Sequence, residues 1–136
     1  MQRILLLFFL LLCLLPACAG QVNKGAGLAV GSEHFSEALR WLDFSGAANH
    51  LHIDVRGEFL DLFQADDDLK IVESQIVSVE LDEASETATI DYRMEYYRLP
   101  SMRIKKWQWQ QQWRLEQKNA IKSGVWLIVN SPPPVP

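Results

Sequence analysis

His50, His52 and Asp54 stand at alternate positions and form the one grouping in this chain with the residue types of a metal site. On a strand the two imidazoles would share a face, and on a helix His50 and Asp54 would meet one turn apart. No cysteine and no third well-placed histidine joins them, so the segment reads better as the polar start of a helix. Asp66-Asp67-Asp68 offers carboxylates but lacks the spaced oxygen ligands and central glycine of a calcium loop, and reads as a solvated helix-to-strand turn. There is no glycine-rich phosphate loop and no G-x-S-x-G elbow, and the serines, histidines and aspartates show no spacing that singles out a triad. No catalytic residue, metal or cofactor is expected.

The other candidate chemistry is aromatic. Tyr92, Tyr96, Trp107, Trp109 and Trp113 fall at positions that would gather on one face of a sheet, with Gln111 as a polar exception in the same row. Aromatics facing helices ordinarily form core. If the helices left the mouth of the sheet uncovered, the same residues would line an apolar pocket for a lipid-like or aromatic ligand, with Gln111 orienting it.

Charge narrows the partners. Arg3 is the sole charge in residues 1–17, so residues 18–136 carry 12 basic and 17 acidic side chains, a net charge of −5. A mildly acidic body argues against nucleic-acid binding. The charges are also segregated. Glu33 to Asp91 holds 15 acids against three bases, and Tyr92 to Lys122 holds eight bases against Glu95 and Glu116. Such a split produces complementary neighbouring surfaces, or a patch for an anionic lipid or acidic partner.

The first residues are of a different kind. Met1-Gln2-Arg3 is a short positive segment, and Ile4 to Leu15 is a twelve-residue apolar run, shorter than the roughly 20 residues that cross a bilayer. The run ends in Leu15-Pro16-Ala17-Cys18-Ala19-Gly20. This resembles the bacterial lipobox, although Pro16 stands where a small residue is usual. The resemblance implies that residues 1–17 are a lipoprotein signal peptide and that Cys18 becomes the first mature residue. Its sulfur would then carry diacylglyceryl, with fatty acyl chains such as palmitate. Ala19 in place of Asp implies the outer membrane where the source has one. Ala17-Cys18-Ala19 also fits an ordinary signal-peptidase site, which would release a soluble periplasmic or secreted protein beginning at Gly20. Cys13 leaves with the leader either way, so no internal disulfide is expected. Residues 18–32, glycine-rich with few large apolar side chains, read as the lipidated cysteine and a flexible tether.

The body of the chain reads as one α+β domain over residues 33–130. Phe35, Ala38, Leu39 and Leu42 give a helical stripe from Glu33 to Phe44, with Ser32 as its cap. A second helix is expected within Ala47 to Ala65, weakened by Gly57. Strands follow at Leu69 to Leu81, Thr87 to Arg98, Arg103 to Gln117 and Ile121 to Val129, the middle two alternating cleanly between apolar and polar. Residues 131–136 are a proline-rich tail that cannot extend a ladder. Helices followed by hairpin-linked strands predict an antiparallel meander with helices packed on one face.

That order, with Phe35-Ser36-Glu37-Ala38-Leu39-Arg40-Trp41 and then Phe59-Leu60-Asp61-Leu62-Phe63 ahead of long hairpins, resembles the cystatin-like superfamily. It is similar there to small bacterial lipoproteins of the nuclear transport factor two type, with N-terminal helices seated on a curved four-stranded antiparallel sheet. The sequence matches no catalytic motif of the cyclases and isomerases sharing that fold. The segment Gln75-Ile76-Val77-Ser78-Val79 lacks the glycine of the cystatin inhibitor hairpin. The expectation is thus a membrane-tethered, non-enzymatic binding or interaction module of the cell envelope, bound to the membrane through Cys18, with an envelope protein as partner. A carrier of a small apolar ligand is the alternative, and a cyclase-like enzyme comes after it.

Overall fold

The computed structural model describes residues 23–117 and 124–136. The leader, Cys18, the first residues of the expected tether and the start of the last expected strand (Ile121 to Ser123) lie outside them.

Alternation dictates the sheet. In β2 (Thr87–Arg98) and β3 (Lys105–Glu116), every second residue is buried, which is the signature of strands with one face on a core. Their antiparallel register pairs the two inward rows directly, setting Ala88 opposite Trp113, Ile90 opposite Gln111, Tyr92 opposite Trp109 and Met94 opposite Trp107. The longer β1 (Leu69–Asp82) pairs with β2, the four-residue β4 (Val125–Ile128) pairs with β3, and the open sheet runs β1-β2-β3-β4. Among the described residues three helices precede it: α1 (Lys24–Arg40), α2 (Phe44–Ala48) and α3 (Ile53–Phe63). The α+β meander expected from the periodicity is the observed arrangement.

The helical half departs from expectation at its beginning. Lys24 to Ser32 is not a tether but the first half of α1, capped by Asn23, whose side chain accepts from the Ala26 N–H at 3.2 Å. Ser32 is therefore a buried residue within the helix, and the folded body starts ten residues earlier than the sequence pattern indicated. The reason is tertiary. Leu28, Ser32, Phe35 and Leu39 make one buried stripe, and the backbone at Gly27 and Gly31 lies close against two tryptophans of the sheet. A Cβ placed on Gly27 would stand 3.5 Å from Trp126, and one on Gly31 would stand 3.6 Å from Trp113. The Trp126 indole N–H also donates to the Lys24 carbonyl at 3.0 Å. At the other end α1 stops at Arg40, short of Phe44, because Leu42 takes φ 62° and Asp43 begins α2 by accepting from the Gly46 N–H at 2.8 Å.

The proline-rich tail adds no strand and folds back over the aromatic row. Trp107 donates its indole N–H to the Pro133 carbonyl at 3.0 Å, the Tyr96 hydroxyl and Arg98 guanidinium donate to the Pro136 carbonyl, and Val135 packs on the core. The core itself runs from Leu28 to Ile128 and centres on Phe35, which meets Tyr92 and Trp109 edge-on, and Phe63, which meets Trp107 edge-on, with the Phe59 ring tilted against both phenylalanines.

Candidate functional site

The six residues read as core or pocket are brought together, and they are the packed interior. Tyr92, Tyr96, Trp107, Trp109, Gln111 and Trp113 are all buried. The Phe35 ring of α1 lies 5.4 Å from Tyr92 and 6.1 Å from Trp109, centroid to centroid, so an apolar ligand would have to displace part of α1 to reach them. Gln111 is internally engaged on one side only. Its carbonyl oxygen accepts from the Trp113 indole N–H at 3.0 Å, while its amide nitrogen and the Trp109 indole N–H have no partner among the described residues. Each such buried donor costs about 1–3 kcal/mol.

The histidine segment divides instead of converging. His52 caps α3, its imidazole facing the Asp54 N–H at 3.3 Å, with the Asp54 and Glu116 carboxylates at 3.2 and 3.4 Å. His50 turns the other way, towards the His34 ring 6.2 Å distant. Burial, and secondarily the charge on His34, pulls the His50 pKa below its ordinary value. Among the described residues no three potential ligands are grouped for a metal. In the aspartate run, Asp66 is held by Arg98 at 2.6 Å, and that hydrogen bond raises the Arg98 pKa.

The feature the sequence pattern missed is a groove between α1 and β1. It is an open depression of about 430 Å³ lined by Glu33, Ser36, Glu37, Arg40, Trp41, Ser74 and Ile76. Helical spacing puts Glu33, Glu37, Arg40 and Trp41 on the side of α1 away from its buried stripe. The largest of them, Trp41, is 73% exposed. The floor is polar and ordered: the Ser74 hydroxyl donates to the Ser36 carbonyl at 2.8 Å and lies 2.6 Å from the Ser36 hydroxyl and 2.5 Å from that of Tyr92. A serine has one proton to give, so both neighbouring hydroxyls donate to it. Burial drives the Tyr92 pKa up, against the smaller opposing effect of these serine bonds, and the phenol stays protonated. The hydroxyl chain is a clasp joining helix to sheet, and among the described residues no base contacts either serine to activate it. An aromatic plate beside two carboxylates on a firm floor can recognise a cationic or extended apolar group. The available signal was Trp41 itself, a large aromatic lying off the apolar stripe of its own helix.

A second depression, of about 310 Å³, lies on the other face of the sheet, where Asp91, Arg93, Gln108 and Gln110 surround Val77. Its walls are the polar row expected to face solvent.

No known protein family, no curated protein and no solved structure matches the chain.

Proposed function

We propose that this chain is a membrane-tethered, non-enzymatic binding or interaction module of a bacterial cell envelope, anchored by lipid on Cys18. The observation carrying the proposal is the junction Leu15-Pro16-Ala17-Cys18 at the end of the apolar run from Ile4 to Leu15. Two or three acyl chains there, each methylene contributing about 0.8 kcal/mol, would hold the domain without a spanning helix. No helix among the described residues is long and apolar enough to cross a membrane.

Two further features support the reading. Residues from Leu28 to Ile128 pack around one continuous core, the self-contained body that a cleaved leader would leave behind. The capping Asn23 follows Cys18 by only five residue steps, which reach at most about 18 Å even when fully extended. The domain would therefore sit against the headgroups, unlike a module on a long leash. For the binding role, the α1–β1 groove with its exposed Trp41 is the surface best suited to a partner. The order of helices and strands also supports a place in the cystatin-like superfamily.

Intact-mass spectrometry of the purified chain tests the anchor. Diacylglyceryl mass on an N-terminal Cys18 is expected, together with membrane fractionation that is lost in Cys18→Ser. An unmodified N-terminus at Gly20, recovered in the soluble fraction, would overturn it.

A further inference from the structure

We propose that β1 accepts a short segment of a second copy of this chain, Arg103 to Lys105 at the start of β3, laid along its open edge beside the α1–β1 groove. Among the described residues the edge of β1 makes no backbone hydrogen bonds outside its pairing with β2, apart from the turn at Leu69. The ladder is interrupted at two bulges, where Val72 and Val77 are the extra residues, and between them lies a regular window from Glu73 to Ile76. Ser74 and Ile76 of that window line the groove, so a strand added there would turn one of its faces towards Glu33 and Glu37.

The occupant is argued from charge and spacing. Glu33 and Glu37 lie one helical turn apart, an advance of about 6 Å. Alternate side chains of a strand are about 6.7 Å apart, so two bases at positions i and i+2 of an added strand match the two carboxylates. Arg40 is the one base in the groove, at its Trp41 end. The chain carries such a segment on its own surface. Residues 99–106 are exposed without interruption, and within them Met102-Arg103-Ile104-Lys105 alternates apolar and basic. Met102 is 67% and Ile104 56% exposed, an unusual cost for large apolar side chains standing together in water. With Arg103 and Lys105 turned to the carboxylates, Ile104 faces the other side of the sheet, where Val77 is half exposed, and Met102, at φ 43°, turns the chain out of the strand. Three residues fit within the four-residue window. The segregation of acids before residue 91 and bases after it thus becomes an acceptor side and a donor side of one molecule. So small and polar an interface gives weak, salt-sensitive pairing.

This pairing does not require the anchor, and it is tested on the full chain, expressed with its leader and extracted in mild detergent. Two differently tagged copies are co-expressed, one tag is captured at low ionic strength, and the other is measured. Co-capture of wild type is expected, falling about tenfold in E33K/E37K and equally in R103E/K105E. These exposed substitutions leave the core untouched. Co-expressing one variant with the other restores opposite charges across the interface and should return capture to the wild-type level, which also shows that both are folded. Absence of wild-type capture, capture indifferent to either pair of substitutions, or failure of the mixed pair to recover would overturn the proposal. The N-terminal mass of the same material is read separately, so loss of the anchor and loss of the pairing are distinct results.

Discussion

At one edge of the sheet the chain itself closes onto the end of the four-residue β4 at Ile128, whereas at the other the fourteen-residue β1 makes no backbone hydrogen bonds beyond β2 among the described residues, apart from the turn at Leu69. Leu51 bridges in parallel to Ile128: the His52 N–H donates to the Ile128 carbonyl at 2.8 Å and the Ile128 N–H donates to the His50 carbonyl at 2.9 Å. Where β4 ends, the Val129 N–H donates to the Gln112 carbonyl at 2.8 Å, and the Asn130 side chain then takes the place of a peptide group. It accepts from the Gln112 N–H at 2.7 Å and donates to the Gln110 carbonyl at 2.9 Å. β1 has no such cover among the described residues and relies on bulges and charged side chains, the usual ways of discouraging indiscriminate strand pairing. The contrast shows one edge sealed by the chain's own backbone and the other left able to pair under conditions of charge and length. Even the glycine before β4 belongs to the sealed edge, since a Cβ on Gly124 would come within 2.8 Å of Leu115.

The comparison breaks first at Trp126. This buried indole closes α1 onto β4, and Trp126→Ala is expected to remove about 3–5 kcal/mol of stability in urea titrations. A loss below 1 kcal/mol would mean that β4 is no better secured than β1. Asn130→Ala comes next, removing two hydrogen bonds to β3 at a partly exposed position. It should cost about 1–2 kcal/mol, and faster amide exchange at Gln112 would locate the effect.

Smaller again is an acid sensitivity confined to the sealed edge. The folded-state pKa of His50 is lowered, so the folded protein binds fewer protons than the unfolded chain near the ordinary value of 6.5. The corresponding stability is complete above that pH and is lost as pH falls through it towards the folded value. Thermal midpoints should therefore drop between pH 7.5 and 5.5, and His50→Gln should flatten that slope; an unchanged slope would remove His50 as its cause. The smallest effect belongs to β1, where Val79 is 50% exposed and Val79→Thr should change stability by no more than about 0.5 kcal/mol. A larger loss would show that this edge is covered after all.

The aromatic row and the groove differ in how far each was legible beforehand. Tyr92, Met94, Trp107, Trp109 and Trp113 could be assigned to one face from alternation alone, because strand geometry puts every second side chain on the same side whatever else the chain does. That they form core, with Gln111 among them, followed from where α1 settled. The groove was invisible for the same reason. Ser36 and Ser74 are 38 residues apart and become neighbours only when helix packs on sheet.

By itself, then, the sequence determined the local periodicities: two alternating strands, a helical stripe through Phe35 and Leu39, and an unbroken apolar run from Ile4 to Leu12. Each depends only on near neighbours along the chain. Tertiary structure decided that Lys24 to Ser32, whose composition suggests flexibility, is helix, and it decided where the proline-rich tail lies. Glycines disfavour a helix in isolation, but Gly27 and Gly31 lie in ordinary contact with Trp126 and Trp113, and burial of the stripe through Leu28, Phe35 and Leu39 outweighs the propensity cost. The tail likewise takes its place from the indole and phenol donors of Trp107 and Tyr96, which are brought to it by the sheet.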